Sequence, residues 1–116
     1  METGIYEPDN LIAGETHLVT DAVTIAAGDD LKRGAVLGKV TADGKYKLSA
    51  SGATDGSETP TAVLAEDAAA ASADVANAAI YIKGEFNANA LTFGTGHTAA
   101  TVKAPLRDGG IYIKGA

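Results

Sequence analysis

The residues able to do chemistry are few and scattered. There are two histidines, His17 and His97, and no cysteine. Neither histidine has a second histidine at ligand spacing, so no metal site is expected at either. Glu66 and Asp67 are adjacent acids at the end of an apolar run. Paired carboxylates can do acid–base work, but neighbours on a strand point to opposite faces, so solvation or a hydrogen bond to a turn is the expected role. Glu85, in Gly84-Glu85-Phe86-Asn87, reads the same way. Gly94-Thr95-Gly96-His97-Thr98 is a glycine-containing loop that could hold an anion on backbone N–H groups. It lacks the Lys-Ser/Thr ending of a phosphate loop and reads as a structural turn. No serine sits in a nucleophile elbow, and no thiol exists to act as nucleophile. The chain is not expected to be an enzyme, and it calls for no metal and no cofactor.

Strand signals dominate the elements around these residues. Leu18, Val19, Val23, Thr24 and Ile25 favour extended structure. Ala27-Gly28-Asp29-Asp30 is a turn, and Val36 to Thr41 is the next strand. Asp43-Gly44 then marks a hairpin with Tyr46 to Ser49 as the returning strand. A polar loop spans Ser51 to Ser57, and Thr61 to Ala65 is a short apolar strand. The alanine-rich stretch from Ala68 to Asp74 reads as a small-residue connection that lets two backbones approach closely. Ile80-Tyr81-Ile82-Lys83-Gly84 recurs as Ile111-Tyr112-Ile113-Lys114-Gly115. With a period of two, this predicts two strands of one sheet, with the isoleucines on the core and Tyr and Lys facing away.

One helix is predicted within 99–108, capped by Thr98 or Thr101 and ended by Gly109-Gly110. Pro105 is awkward there unless Thr101 is the cap, which would place it in the fourth helical position.

Length and composition suit one domain: 116 residues, 5% aromatic, no Trp, and abundant Ala and Gly. Large side chains for a core are scarce, so burial between subunits is expected to add stability. No apolar run approaches the length of a membrane span, and Met1-Glu2-Thr3-Gly4 lacks a signal peptide's basic region. Neither secretion nor a membrane partner is expected, and the absence of cysteine suits a cytoplasmic origin.

The net charge of −6 is unevenly placed. Residues 1–31 carry seven acids and no Lys or Arg, whereas all nine basic residues follow, against eight acids. Such a surface repels phosphate backbones, so nucleic acid is not an expected partner. Residues 1–16 read as a flexible arm, with turn clusters at Glu7-Pro8-Asp9-Asn10 and Ala13-Gly14-Glu15. Ile5, Tyr6, Leu11 and Ile12 are too few for a core and too many for a plain linker. They suit a segment that orders on a partner by adding a strand to a sheet edge.

The order of motifs resembles the lambda-type head decoration protein family of tailed phages, over roughly residues 15–116. The likeness is carried by Leu31-Lys32-Arg33-Gly34-x-Val36-Leu37-Gly38, Val63-Leu64-Ala65-Glu66-Asp67 and Gly84-Glu85-Phe86-Asn87. Leu91-Thr92-Phe93-Gly94 and Leu106-Arg107…Gly110-Ile111 complete it. The resemblance implies a mostly β, small antiparallel sheet or barrel-like domain over 17–116, with one short helix near the C-terminus. It implies a homotrimer, made in the host cytoplasm, on the outer surface of the expanded capsid. There it would sit at three-fold and quasi-three-fold positions, bind the major capsid protein and hold the head against DNA pressure. The capsid-binding residues would be Ile5, Tyr6, Leu11 and Ile12 on the arm of residues 1–16. Two rival readings remain open: a tail-tube or other virion β-protein, and a surface carbohydrate-binding β-module.

Overall fold

The structure, a computed structural model, describes residues 18–114. The expected arm of residues 1–16 lies outside the described residues, as does Gly115 of the second pentapeptide.

Eight strands and two helical pieces follow in order: β1 (Val19–Ile25), β2 (Asp30–Leu31), β3 (Val36–Lys39), β4 (Tyr46–Leu48), β5 (Pro60–Leu64), β6 (Ala68–Ala69) and β7 (Val75–Asn87), then a 3-10 turn (Ala88–Ala90), α1 (Ala99–Asp108) and β8 (Ile111–Lys114). The main sheet runs β1-β4-β3-β5-β7-β8, and β1 also pairs with β7. That extra pairing closes β1, β4, β3, β5 and β7 into a five-stranded barrel and leaves β8 as an outlying strand. The mostly β, barrel-like class with one short helix near the C-terminus is as expected. The sheet is mixed, however: β1 meets β4 in parallel, and β8 runs parallel to β7. The α1 crossover allows the second parallel pair, because parallel neighbours need a long connection, usually a helix.

The hairpin at Asp43-Gly44 forms as read. Val40 N–H donates to the Lys45 carbonyl at 2.8 Å, Lys45 N–H donates to Asp43 Oδ1 at 3.0 Å, and Gly44 takes φ +74°. The alanine-rich stretch also behaves as read, because β6 lies against β2 to form a small second sheet. Ala68 and Ala70 are buried there, and the Ala70 carbonyl accepts from Gly28 N–H at 2.7 Å. Larger side chains at these positions would hold the two backbones apart.

Two apolar layers share the strands. Ile25, Leu37, Ala62, Leu64, Ala78 and Ile80 fill the barrel interior. Val36, Val63, Tyr81 and Phe86, on the outer face, pack under Val102 and Leu106 of α1 and against Ile111 and Ile113 of β8. Strands buried on both faces explain why Pro60–Leu64 reads as a continuous apolar run.

The repeated pentapeptide lies on β7 and β8, adjacent in one sheet, with Ile80, Ile111 and Ile113 buried. The expected outward Tyr holds only for Tyr112; Tyr81 is buried against Phe86, ring centroids 5.3 Å apart. The two copies are also out of step, since Ile111 pairs with Gly84 rather than with Ile80. β7 swaps faces on the way. Ile80 and Ile82 point to the interior layer, whereas Phe86 points to the α1 layer, so the period of two breaks between Ile82 and Phe86. The β1 pairing slips by one residue at the same place, and Gly84 there takes φ +153°, which favours glycine.

α1 starts from Thr98, not Thr101, with both residues in a capping box. Pro105 therefore falls in the seventh helical position. It has no N–H to offer the Thr101 carbonyl. Burial of Val102 and Leu106, about 1.5–3 kcal/mol each, offsets the roughly 3 kcal/mol cost of an interior proline.

Candidate capsid-binding surface

Three of the motifs quoted from the sequence, Leu31 to Gly38, Val63 to Asp67 and Leu91 to Gly94, converge on one hub. Gly34 N–H donates to the Leu64 carbonyl at 2.9 Å, and Leu64 N–H returns to the Ala35 carbonyl at 2.8 Å. On the other side, Thr92 N–H donates to the Gly34 carbonyl at 3.0 Å and Val36 N–H to the Thr92 carbonyl at 2.9 Å. The turn before β3 is thus held between the end of β5 and the segment after the 3-10 turn.

Arg33 ties the hub together. Its Nη1 donates to the Ala65 carbonyl and to the Tyr81 hydroxyl, each at 2.9 Å, and its guanidinium lies 5.6 Å from the Tyr81 ring centroid. Its backbone N–H donates to Asp67 Oδ1 at 2.8 Å.

This geometry settles the roles of the candidate acids. Asp67 receives the Arg33 turn, and Glu66 Oε2 accepts from Ala79 N–H at 3.0 Å. The two adjacent carboxylates serve different strands and share no site. Glu85 is spent on Lys114, 2.9 Å away across the β7–β8 pair.

His97 is structural as well. Its Nε2 lies 3.0 Å from the Glu58 carbonyl and its Nδ1 3.0 Å from Thr101 Oγ1, joining α1 to the polar loop. Since a carbonyl only accepts, Nε2 carries the proton. The loop before it is a turn, closed by His97 N–H on the Gly94 carbonyl at 3.0 Å. His17 lies outside the described residues. Among the described residues no group of three His, Cys, Asp or Glu is placed to hold a metal ion. No described helix is long and apolar enough to cross a membrane.

A cleft of about 280 Å³ opens at the β3–β4 hairpin end of the barrel, lined in part by Ala27, Asp29, Leu31, Asp43, Lys47 and Asp55. Asp55 is committed to the fold. It accepts from Ser57 Oγ at 2.6 Å, from Ser57 N–H at 3.0 Å and from Lys47 Nζ at 3.0 Å. The Ser57 bonds, and then Lys47, hold its carboxyl well below the usual range. Nearby, Lys45 and Asp74 pair at 2.6 Å, which raises the lysine pKa and lowers that of the carboxyl. These groups fasten loops.

The expected capsid-binding residues Ile5, Tyr6, Leu11 and Ile12 lie outside the described residues. The place where that segment joins the body is described. Leu18 packs beside the α1 layer, and Val19 pairs with Lys83, next to Gly84. Thr20 pairs with Tyr81, whose hydroxyl receives Arg33. The first described residues, Leu18 to Thr20, therefore lie along β7 at Tyr81 and Lys83. The fastening role of Arg33 is not legible in the sequence, because its partners lie 32 and 48 residues away.

The described residues thus form a packed barrel in which Arg33, Asp55, Glu66, Asp67 and Asp74 fasten loops and turns. The chain belongs to the family of bacteriophage lambda head decoration protein D, whose family model matches residues 1–110. Head decoration is a structural role on the phage capsid, not an enzymatic one, and it associates the protein with the virion. The match reaches through the N-terminal segment and stops one residue short of β8. Comparison with curated proteins gave no match.

Proposed function

We propose that the protein binds the major capsid protein on the outside of the expanded phage head as a homotrimer. It occupies three-fold and quasi-three-fold positions and stabilises the shell against DNA pressure. The family match over residues 1–110 is the observation that carries this reading. The acidic character of residues 1–31 supports it, since a surface that repels phosphate suits a protein kept outside the packaged DNA.

The division of labour is an arm, residues 1–16, and a body, residues 17–116. The arm adds a strand to a capsid sheet, with Ile5, Tyr6, Leu11 and Ile12 as anchors. One trimer carries three arms, so individually weak contacts multiply through effective concentration. Binding to the expanded shell alone stabilises that state by mass action. Synthesis in the host cytoplasm precedes assembly, and neither nucleic acid nor membrane takes part.

Deleting residues 1–14 tests the arm. The body is expected to keep its circular dichroism spectrum while affinity for expanded heads falls by about 100-fold or more. Unchanged binding by the truncated protein would contradict the arm's role.

A further inference from the structure

Two strand edges have no neighbour among the described residues. β1 pairs with β7 along one edge, but its other edge meets β4 only at Ile25, opposite Tyr46. Val19 to Thr24 are left open on that side. β8 pairs with β7 through Gly84–Asn87, and no described strand takes its far edge.

An open edge is a template for another strand, and proteins usually guard it. β8 has few guards. Ile111–Lys114 contains no proline, its pairing shows no bulge, and Lys114 is neutralised by Glu85 at 2.9 Å. Tyr112, 41% exposed, is the one large apolar side chain exposed among the described residues.

The two edges also differ in charge. β1 lies in the stretch of residues 1–31 with seven acids and no base, and its exposed Asp21 has no ion-pair partner among the described residues. β8 is approached by two bases and one acid: the Lys83 side chain lies beside Gly110, although Lys83 also pairs with Val19 of β1, and Arg107 and Asp108 end α1. Neither base has an ion-pair partner among the described residues.

We propose that β8 of one copy adds to the open edge of β1 in the next copy, with three such contacts closing a ring. This rests on the trimer reading above. A contact between two different patches is heterologous and closes into a ring when its rotation is one third of a turn. A symmetric β8–β8 contact would give dimers and would set like charges face to face. Asp21 of the open β1 edge meets Arg107 beside β8, with Tyr112 covered at the joint.

The absence of cysteine makes the test specific, because every disulfide must come from introduced residues. Tyr112→Cys is combined in turn with Thr20→Cys, Ala22→Cys and Thr24→Cys, which samples the register. The unsubstituted protein is weighed by light scattering. The expected result is a trimer mass, with at least one double variant oxidising to a covalent trimer and no larger species. The matching single variants then cross-link only when mixed. Tyr112→Glu, at an exposed position, is expected to dissociate the trimer with its circular dichroism unchanged. A trimer in which no pair cross-links, or which survives Tyr112→Glu, overturns the interface and leaves the trimer standing. A monomer at every concentration overturns the trimer reading and the interface with it.

Discussion

At the scale of single residues, this chain uses its polar groups as fasteners. Ser49 and Ser57 are fully buried polar residues, and the Ser49 hydroxyl donates to the Ser57 carbonyl at 2.7 Å. That carbonyl lies directly on Gly38, where a Cβ would overlap it. Gly38→Ala is therefore expected to lose about 1–3 kcal/mol in urea unfolding. Gly52→Ala, with nothing within 4 Å of the added carbon, should stay within about 0.5 kcal/mol of the parent. Equal stability of the two variants would contradict the close packing.

Asp55 gives a pH test. Its carboxyl titrates lower in the folded chain than in the unfolded one, because Ser57 and Lys47 favour the charged form. Its contribution is then fully present above the unfolded value, about 3.9, and is lost as pH falls from there toward the folded value. The stability difference between the parent and Asp55→Asn should be constant near neutrality and shrink below about pH 4. A difference that grows in acid would reverse the assignment. No spacing rule in the sequence singles out Arg33, whose partners lie 32 and 48 residues away, whereas Asp55 bonds Ser57 only two residues on, a local turn pattern.

At the scale of elements, what is legible is what is local. The helix is expected within 99–108 and runs Ala99–Asp108, since a cap, an apolar pair and a glycine stop all lie within one short window. The hairpin at Asp43-Gly44 is local in the same sense. The closing β1–β7 contact joins residues some 60 positions apart, and the face swap at Gly84 breaks the periodicity that would have revealed it. Tyr81 does face away from Ile80, but onto the second apolar layer under α1, so it is buried where the sequence reads it as exposed.

The helix start carries its own prediction. Thr101 Oγ1 accepts from Thr98 N–H at 2.8 Å, whereas Thr98 Oγ1 takes Thr101 N–H at a long 3.4 Å. Thr101 Oγ1 also meets His97. Thr101→Ala is thus expected to cost about 1 kcal/mol in thermal or urea unfolding, and more than Thr98→Ala. The opposite ranking would show that the cap residue itself dominates.

At the scale of the whole molecule, charge and fold divide the chain at different places. The acidic run through residue 31 includes β1 and β2 of the body, and the residues that follow carry nine bases against eight acids. The described body fills its interior with small and branched side chains, many of them alanine, which is how a chain with two phenylalanines and no tryptophan still builds two apolar layers. Composition shows the scarcity of large side chains but not the second layer under α1, which supplies burial within a single subunit. The family assignment fixes the arena as the phage capsid.

The measurement that bears most directly on the account is co-sedimentation of the full chain with shells of its cognate major capsid protein, before and after expansion. Saturable binding to expanded shells, absent on unexpanded ones and accompanied by greater resistance of the heads to disruption, is the predicted result. Equal binding to both forms, or none to expanded shells, would contradict it.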